Sequence, residues 1–220
     1  MIINKHKKYL QIALNRQMHE VASMIEKLPS SQKIILEAGY PFIKMYGQEG
    51  IRYISNLWKN KVKNGYVVAD MKCMDRGGTE VSIAKKGGAG GVTCLGLAPT
   101  ETIDDFIKKC SEMNIDSIVD MMNVKFPFEV LEKLKKLPDI VMLHRGVDER
   151  TNKETTIPHN QIHRIKGTYD IMIAIAGGET EKETMRTFFN DSDIAIVWEE
   201  FYKEPDKTTE IAEKLIKLIK

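Results

Sequence analysis

The stretch VVADMKCMDRGG, residues 67–78, is an apolar run that finishes in three charges, Asp70, Lys72 and Asp75. A buried charge is costly unless it is paired. Charges at the end of a strand must therefore neutralise one another, face something useful, or both. The reading of the whole chain follows from which end of which strand this is.

Runs of the same length recur on either side of it. Strands are predicted in YLQIAL (9–14), KIILEA (33–38), YVVADM (66–71), GVTCLG (91–96), DSIVDM (116–121), DIVMLH (139–144), DIMIAI (170–175) and DIAIVW (193–198). Their starts lie about 23 to 33 residues apart, which leaves room for a helix and two short loops each time. In TIDDFIKKCSEM (102–113), Ile103, Phe106, Ile107 and Cys110 make one apolar helical stripe, and Thr102 is placed to cap it. FPFEVLEKLKKL (126–137) and the closing TTEIAEKLIKLIK are read as further outer helices. Eight strands alternating with helices predict a closed parallel sheet, a (β/α)8 TIM barrel of class α/β, with residues 1–220 as one barrel domain. The open doubly wound sheet is the rival, but no GxGxxG follows the first strand.

Bulk properties narrow the function. The 220 residues carry a net charge of only +2, so there is no basic excess to make nucleic acid the expected partner. The three cysteines, Cys73, Cys94 and Cys110, are scattered and point to a reducing compartment. The apolar run after the basic N-terminus is too short for a signal segment or a membrane span. A cytoplasmic enzyme of small molecules, with no membrane partner, is the expectation.

Barrel enzymes keep their active sites at the C-terminal ends of their strands. Alternation along a strand turns Asp70 and Lys72 the same way, with Asp75 on the loop beyond. Glu37 ends strand two, Asp120 strand five and His144 strand six. A single Asp-x-Lys pair is commonly a structural ion pair, but here five ionisable groups converge from four strands. Glu37 and Asp70 offer hard oxygen ligands for Mg²⁺. Lys72 is expected to stay protonated between Asp70 and Asp75, where it can stabilise an enediolate or pass it a proton. His144 is suited to shuttle protons near neutral pH.

ADMKCMDRGGTEV resembles the Asp-x-Lys-x-x-Asp signature of the orotidine monophosphate decarboxylase superfamily. The resemblance runs on through LQIALN (10–15), LEAGYPFIKMYG (36–47), VTCLGLAPTETI (92–103), IVDMMNV (118–124), MLHRGVDER (142–150) and AIAGG (174–178). It is greatest for the 3-hexulose-6-phosphate synthase branch, with the keto-gulonate-6-phosphate decarboxylases second. It implies Mg²⁺ on Glu37 and Asp70, and Lys72, His144, Asp75 and Asp120 as catalytic groups. It also implies a homodimer in which Asp75 reaches the partner's site, and a reaction that adds formaldehyde to ribulose 5-phosphate. Asp120 and Val147 favour the synthase branch over the decarboxylases.

Three positions depart from the family pattern. Asn15 stands where strand one usually ends in Asp, and Glu179 follows the Gly177-Gly178 pair where an apolar residue is usual. Strand eight leads into Trp198-Glu199-Glu200 instead of the glycine pair that completes a phosphate cradle. Such a cradle needs free backbone amides with nothing bulky or anionic in front of them. Asn15, Gly177, Gly178, Glu179, Trp198 and Glu199 are thus the expected substrate-binding positions, with the phosphate half remodelled. A related enediolate enzyme, decarboxylase or aldolase, acting on a different substrate that is unphosphorylated or positively charged, and a non-catalytic ligand-binding or scaffold barrel, are the alternatives.

Overall fold

All eight apolar runs close into a parallel barrel in strand order one to eight, in a computed structural model that describes residues 2–152, 159–177 and 180–219. The strands are β1 (Tyr9–Leu14), β2 (Ile34–Ala38), β3 (Tyr66–Cys73), β4 (Gly91–Leu95), β5 (Asp116–Asp120), β6 (Ile140–His144), β7 (Met172–Ala176) and β8 (Ile194–Val197). β1 closes the ring: Leu10 lies opposite Ile34 on one side and Ala195 on the other. Alternation divides each strand between two cores. Leu10, Ile12 and Leu14 turn outward under the helices, whereas Tyr9 and Ala13 join Ile35, Val68, Ile118, Met142 and Ala174 inside the barrel.

The outer layer contains α1 (Met18–Lys27), α2 (Tyr40–Lys61), α3 (Gly77–Lys86), α4 (Thr100–Met113), α5 (Pro127–Leu131), α6 (Asn160–Thr168), α7 (Glu181–Phe189), α8 (Glu199–Lys203) and α9 (Thr208–Ile216). α2 is broken at Gly47, whose φ of 55° takes it out of the helical region. The predicted stripe of α4 is buried as expected. Its start is not: the helix begins at Thr100 behind Pro99, so Thr102 lies inside the first turn and is not the cap.

Two further departures have physical causes. α5 ends at Leu131 instead of running to residue 137. The amide of Lys135 donates to Asp104 Oδ1 of α4 at 2.9 Å, a bond that competes with continued helix. After β8 the chain turns at once into the short helix α8, which the strand pattern did not foreshadow. At the opposite, N-terminal end, the amides of Ile2 and Ile3 donate to the buried Asp116 carboxylate, so residues 2 and 3 are fastened across the barrel floor.

Candidate active site

At the C-terminal mouth, six consecutive strands each turn one polar side chain inward: Gln11, Glu37, Asp70, Thr93, Asp120 and His144. Lys72 joins them by a different route. In the β3–β4 ladder Ala69 pairs with Val92 and Cys73 with Cys94, so Asp70, Met71 and Lys72 together oppose the single residue Thr93. Lys72 sits at φ 46° within this bulge, in the left-handed region that a lysine rarely adopts. Simple alternation therefore does not account for the direction of its side chain; the bulge does.

The contacts form a chain of charges. Lys72 Nζ lies 3.2 Å from Asp70 Oδ2 and 3.0 Å from Asp120 Oδ2. His144 Nδ1 lies 2.9 Å from the same Asp120 oxygen. The other Asp120 oxygen accepts the Met122 amide at 3.0 Å. Gln11 Nε2 donates to Glu37 Oε2 at 2.5 Å, and Thr93 Oγ1 donates to Asp70 Oδ1 at 2.8 Å. The expectation that Lys72 is held between Asp70 and Asp75 is thus corrected. Asp120 takes the second place, while Asp75 is exposed on the loop and accepts the Arg76 amide at 2.8 Å. The geometric reason is that the bulge turns Lys72 back over the barrel axis while the chain continues outward to Asp75.

Burial and charge compete at each group. Burial would push the Lys72 ammonium down, but Asp70, Asp120 and Glu37 outweigh it and hold it above the ordinary lysine value. Burial would raise Asp120, yet His144 and Lys72 keep it below the usual carboxylate range. Glu37 goes the other way. Burial, reinforced by the charge of Asp70, pushes it up to about 7 against the Gln11 hydrogen bond and the more distant Lys72 and His144. Because Asp120 is held as the anion, His144 donates from Nδ1 to it, and Nε2 is left for proton transfer.

Across the mouth, the β7 and β8 ends look different. Gly177 has a φ of 101°, and a Cβ there would come within 2.4 Å of the Arg145 carbonyl oxygen. Glycine is therefore required for the backbone crossing itself. Gly178 and Glu179 lie outside the described residues. Trp198 bridges the inner and outer cores, with its ring centroid 6.0 Å from that of Tyr202. Glu199 Oε1 is 2.8 Å from Lys203 Nζ one turn along α8, so its charge is balanced within the helix. The electrostatic barrier expected from Glu199 is correspondingly reduced.

Asn15 is half-buried beside these aromatics. Its backbone amide donates to the Tyr202 hydroxyl oxygen at 2.9 Å, and the Arg16 guanidinium lies 4.5 Å from the centre of the Tyr202 ring. Burial pushes the Tyr202 phenol up to about 12. Three of these participants, Gln11, Thr93 and Tyr202, were missed by sequence reasoning. Gln11 and Thr93 had a signal, as lone polar residues on the inward parity of otherwise apolar strands. Tyr202 had none, because the pattern gave no sign of α8.

The donor set bears on a metal. Among the described residues no group of three or more His, Cys, Asp or Glu is disposed to hold an ion, so these residues offer no complete cage. Mg²⁺ needs none, since one or two carboxylates suffice when substrate and water supply the rest. Glu37 and Asp70 raise each other's energy, and among the described residues Glu37 has no ion pair. A hard cation between them fits that imbalance.

Comparison with known proteins shows the family and the fold. The family described as "Orotidine 5'-phosphate decarboxylase / HUMPS family" matches residues 8–213. The chain is 36% identical over 202 residues to a bifunctional enzyme Fae/Hps of Methanocaldococcus jannaschii, covering 90% of this chain and 49% of that protein. A Fae/Hps enzyme of Methanocella arvoryzae is 34% identical over 192 residues, covering 86% and 48%. The chain thus spans about half the length of the curated relatives it matches. Among solved structures, the 3-hexulose-6-phosphate synthase of Salmonella typhimurium superposes with a TM-score of 0.84 at 25% identity, covering 96% of this chain and 97% of that one. The 3-keto-L-gulonate-6-phosphate decarboxylase of Vibrio cholerae shares the fold with a TM-score of 0.76 at 20% identity, covering 96% and 97%.

Proposed function

The chain belongs to the orotidine 5'-phosphate decarboxylase / HUMPS family, and from that premise we propose that it is a carbon–carbon lyase of the 3-hexulose-6-phosphate synthase type. The reaction read for it is reversible aldol addition of formaldehyde to ribulose 5-phosphate. The observation that supports this most is the single cluster of Glu37, Asp70, Lys72, Asp120 and His144 at the mouth.

Each side chain has a task that its surroundings favour. His144, oriented through Nδ1 by the Asp120 anion, takes the C1 proton of the ketose at Nε2. The Lys72 ammonium, held protonated by its carboxylates, faces the enediolate oxygens and offsets their charge. C1 then forms the new bond to the formaldehyde carbon, and as the carbonyl π bond breaks the formaldehyde oxygen takes back from His144 Nε2 the proton removed from C1. Glu37 and Asp70 would hold Mg²⁺, which when bound supplies positive charge that stabilises the enediolate. Asp75 lies on a groove of about 830 Å³ also lined by Tyr40, Ile43, Met71, Lys72 and Met74. Tyr40 and Met74 are exposed apolar residues there, which supports a homodimer built over this face with Asp75 directed at the partner's site. A single barrel domain and a cytoplasmic location complete the reading; among the described residues no helix is long and apolar enough to cross a membrane.

Trp198 and Tyr202 favour a second reading, in which the same chemistry serves a ketose with no phosphate or a weakly held one. The purified protein with Mg²⁺ should be assayed against phosphorylated and unphosphorylated ketoses, with and without formaldehyde. Formaldehyde-dependent turnover that stops on chelation is expected. Full turnover of metal-stripped protein would defeat the metal assignment, and no turnover of any ketose would leave the scaffold alternative standing.

A further inference from the structure

Thr93 is fully buried at an inward position of β4, where a valine of the same shape would fill the space without a polar atom. A buried hydroxyl is tolerated when it is bonded, and this one is bonded twice. The amide of Lys72 donates to Thr93 Oγ1 at 3.0 Å, and Thr93 Oγ1 donates to Asp70 Oδ1 at 2.8 Å. The directions are fixed by chemistry. An amide N–H can only donate, so the one hydroxyl proton is available to the carboxylate.

Both partners lie in the β3 bulge, and that gives the bonds their significance. Where three residues oppose one, the ladder is interrupted and the Lys72 amide has lost its regular strand partner. The Thr93 hydroxyl replaces that partner for a residue whose left-handed backbone needs holding. It also fixes one Asp70 oxygen while Lys72 Nζ takes the other, so the carboxylate plane has no freedom to turn. One side chain thus sets the backbone of Lys72 and the orientation of Asp70 together.

We propose that Thr93 is a positioning residue of this site, holding the bulge so that Asp70 and Lys72 present their charged ends to one point in the mouth. The proposal rests on the reading that Asp70 and Lys72 carry the chemistry. Its test compares Thr93→Val, which keeps shape and loses the hydroxyl, with Thr93→Ser, which keeps the hydroxyl and loses a methyl.

Three readouts apply to the whole chain once thermal melting has shown both variants folded. Hydrogen exchange of the Lys72 amide should speed up at least roughly tenfold in Thr93→Val and stay near native in Thr93→Ser. Mg²⁺ affinity without substrate, by calorimetry, should fall roughly 10- to 100-fold in the valine variant only, the range that partners of metal ligands usually command. Turnover should fall by a similar factor through kcat, with little change in KM. Native exchange in Thr93→Val overturns the proposal, as does equal impairment of valine and serine, or lost protection with unchanged turnover and metal binding. Should Asp70→Asn and Lys72→Ala keep turnover, the reading of the site fails, while the exchange data still decide whether Thr93 holds the bulge.

Discussion

Asp116 and Asp120 are the first and last residues of β5, and both are fully buried, yet they sit in opposite worlds. At the floor, Asp116 accepts from the Ile2 and Ile3 amides and from the Tyr66 hydroxyl. Burial outweighs those neutral donors, Asp139 adds a like charge, and the carboxyl is raised above its ordinary value. At the mouth, Asp120 faces an ammonium and an imidazole, and they overcome the same burial and lower it. Burial alone does not decide what a carboxylate is for; the charge of its partners does. The floor uses an acid to fasten the chain, and the mouth uses one to hold a lysine and a histidine in working order.

The largest effect that sharpens this contrast is expected from Lys72→Ala. Removing one group that stabilises charge developing in the transition state costs roughly 10² to 10³ in kcat, so kcat should fall by at least that range. Removing the cation also leaves Asp70 and Asp120 facing each other, and about one to a few kcal/mol of stability should go with it. Steady-state kinetics with a denaturant melt measure both. Near-native turnover would end the catalytic assignment of Lys72.

Next comes the matched pair on β5. Asp120→Asn should lower kcat by about 10² or more, because His144 loses the anion that fixes its tautomer. Asp116→Asn puts an amide donor against an N–H or O–H donor at the floor, so it should lose about 1 to 3 kcal/mol of stability with kcat little changed. If the two variants exchanged these phenotypes, the two ends of the barrel would have to be assigned the other way round.

The pH dependence of stability separates the groups further. Glu37 has its folded value raised to about 7, from roughly 4.3 in an unfolded chain. Its contribution is therefore fully present below about pH 4 and is lost as the pH rises through 7, by on the order of 3 kcal/mol in metal-free protein. Asp120 has the opposite sign: its contribution is present above its unfolded value, roughly pH 4, and is lost as the pH falls below it. Between pH 5 and 8 the native protein should lose stability relative to Glu37→Gln, and parallel melting profiles would contradict the charge balance described for the mouth. The smallest effect is expected at β8. Replacing Trp198 and Glu199 together by glycine should tighten binding of ribulose 5-phosphate by about tenfold, or 1.4 kcal/mol, measured by titration. Tight native binding with no gain would mean that the aromatic wall spares the phosphate.

The sequence carried the barrel because each strand is an unbroken apolar run and each interval has room for a helix. It placed Glu37, Asp70, Asp120 and His144 at the mouth because strand ends and parity are local properties. What it could not carry was set by pairing between strands. The extra residues of the β3 bulge are visible only against β4, so the partner of Lys72 was misjudged as Asp75 and the part played by Thr93 went unnoticed. The early end of α5 depends on Asp104 from a neighbouring helix. The Glu199–Lys203 pair was legible in principle as an i, i+4 spacing, had the end of β8 been read as a helix.

The most direct test of the mouth as an enediolate site is proton exchange at C1 of ribulose 5-phosphate in D2O, followed by NMR with no formaldehyde present. The native protein with Mg²⁺ should wash deuterium into one C1 position, and His144→Ala and Lys72→Ala should each slow that exchange by at least roughly 10². Unchanged exchange in both variants, or none in a native protein that still forms product from formaldehyde, would contradict the account.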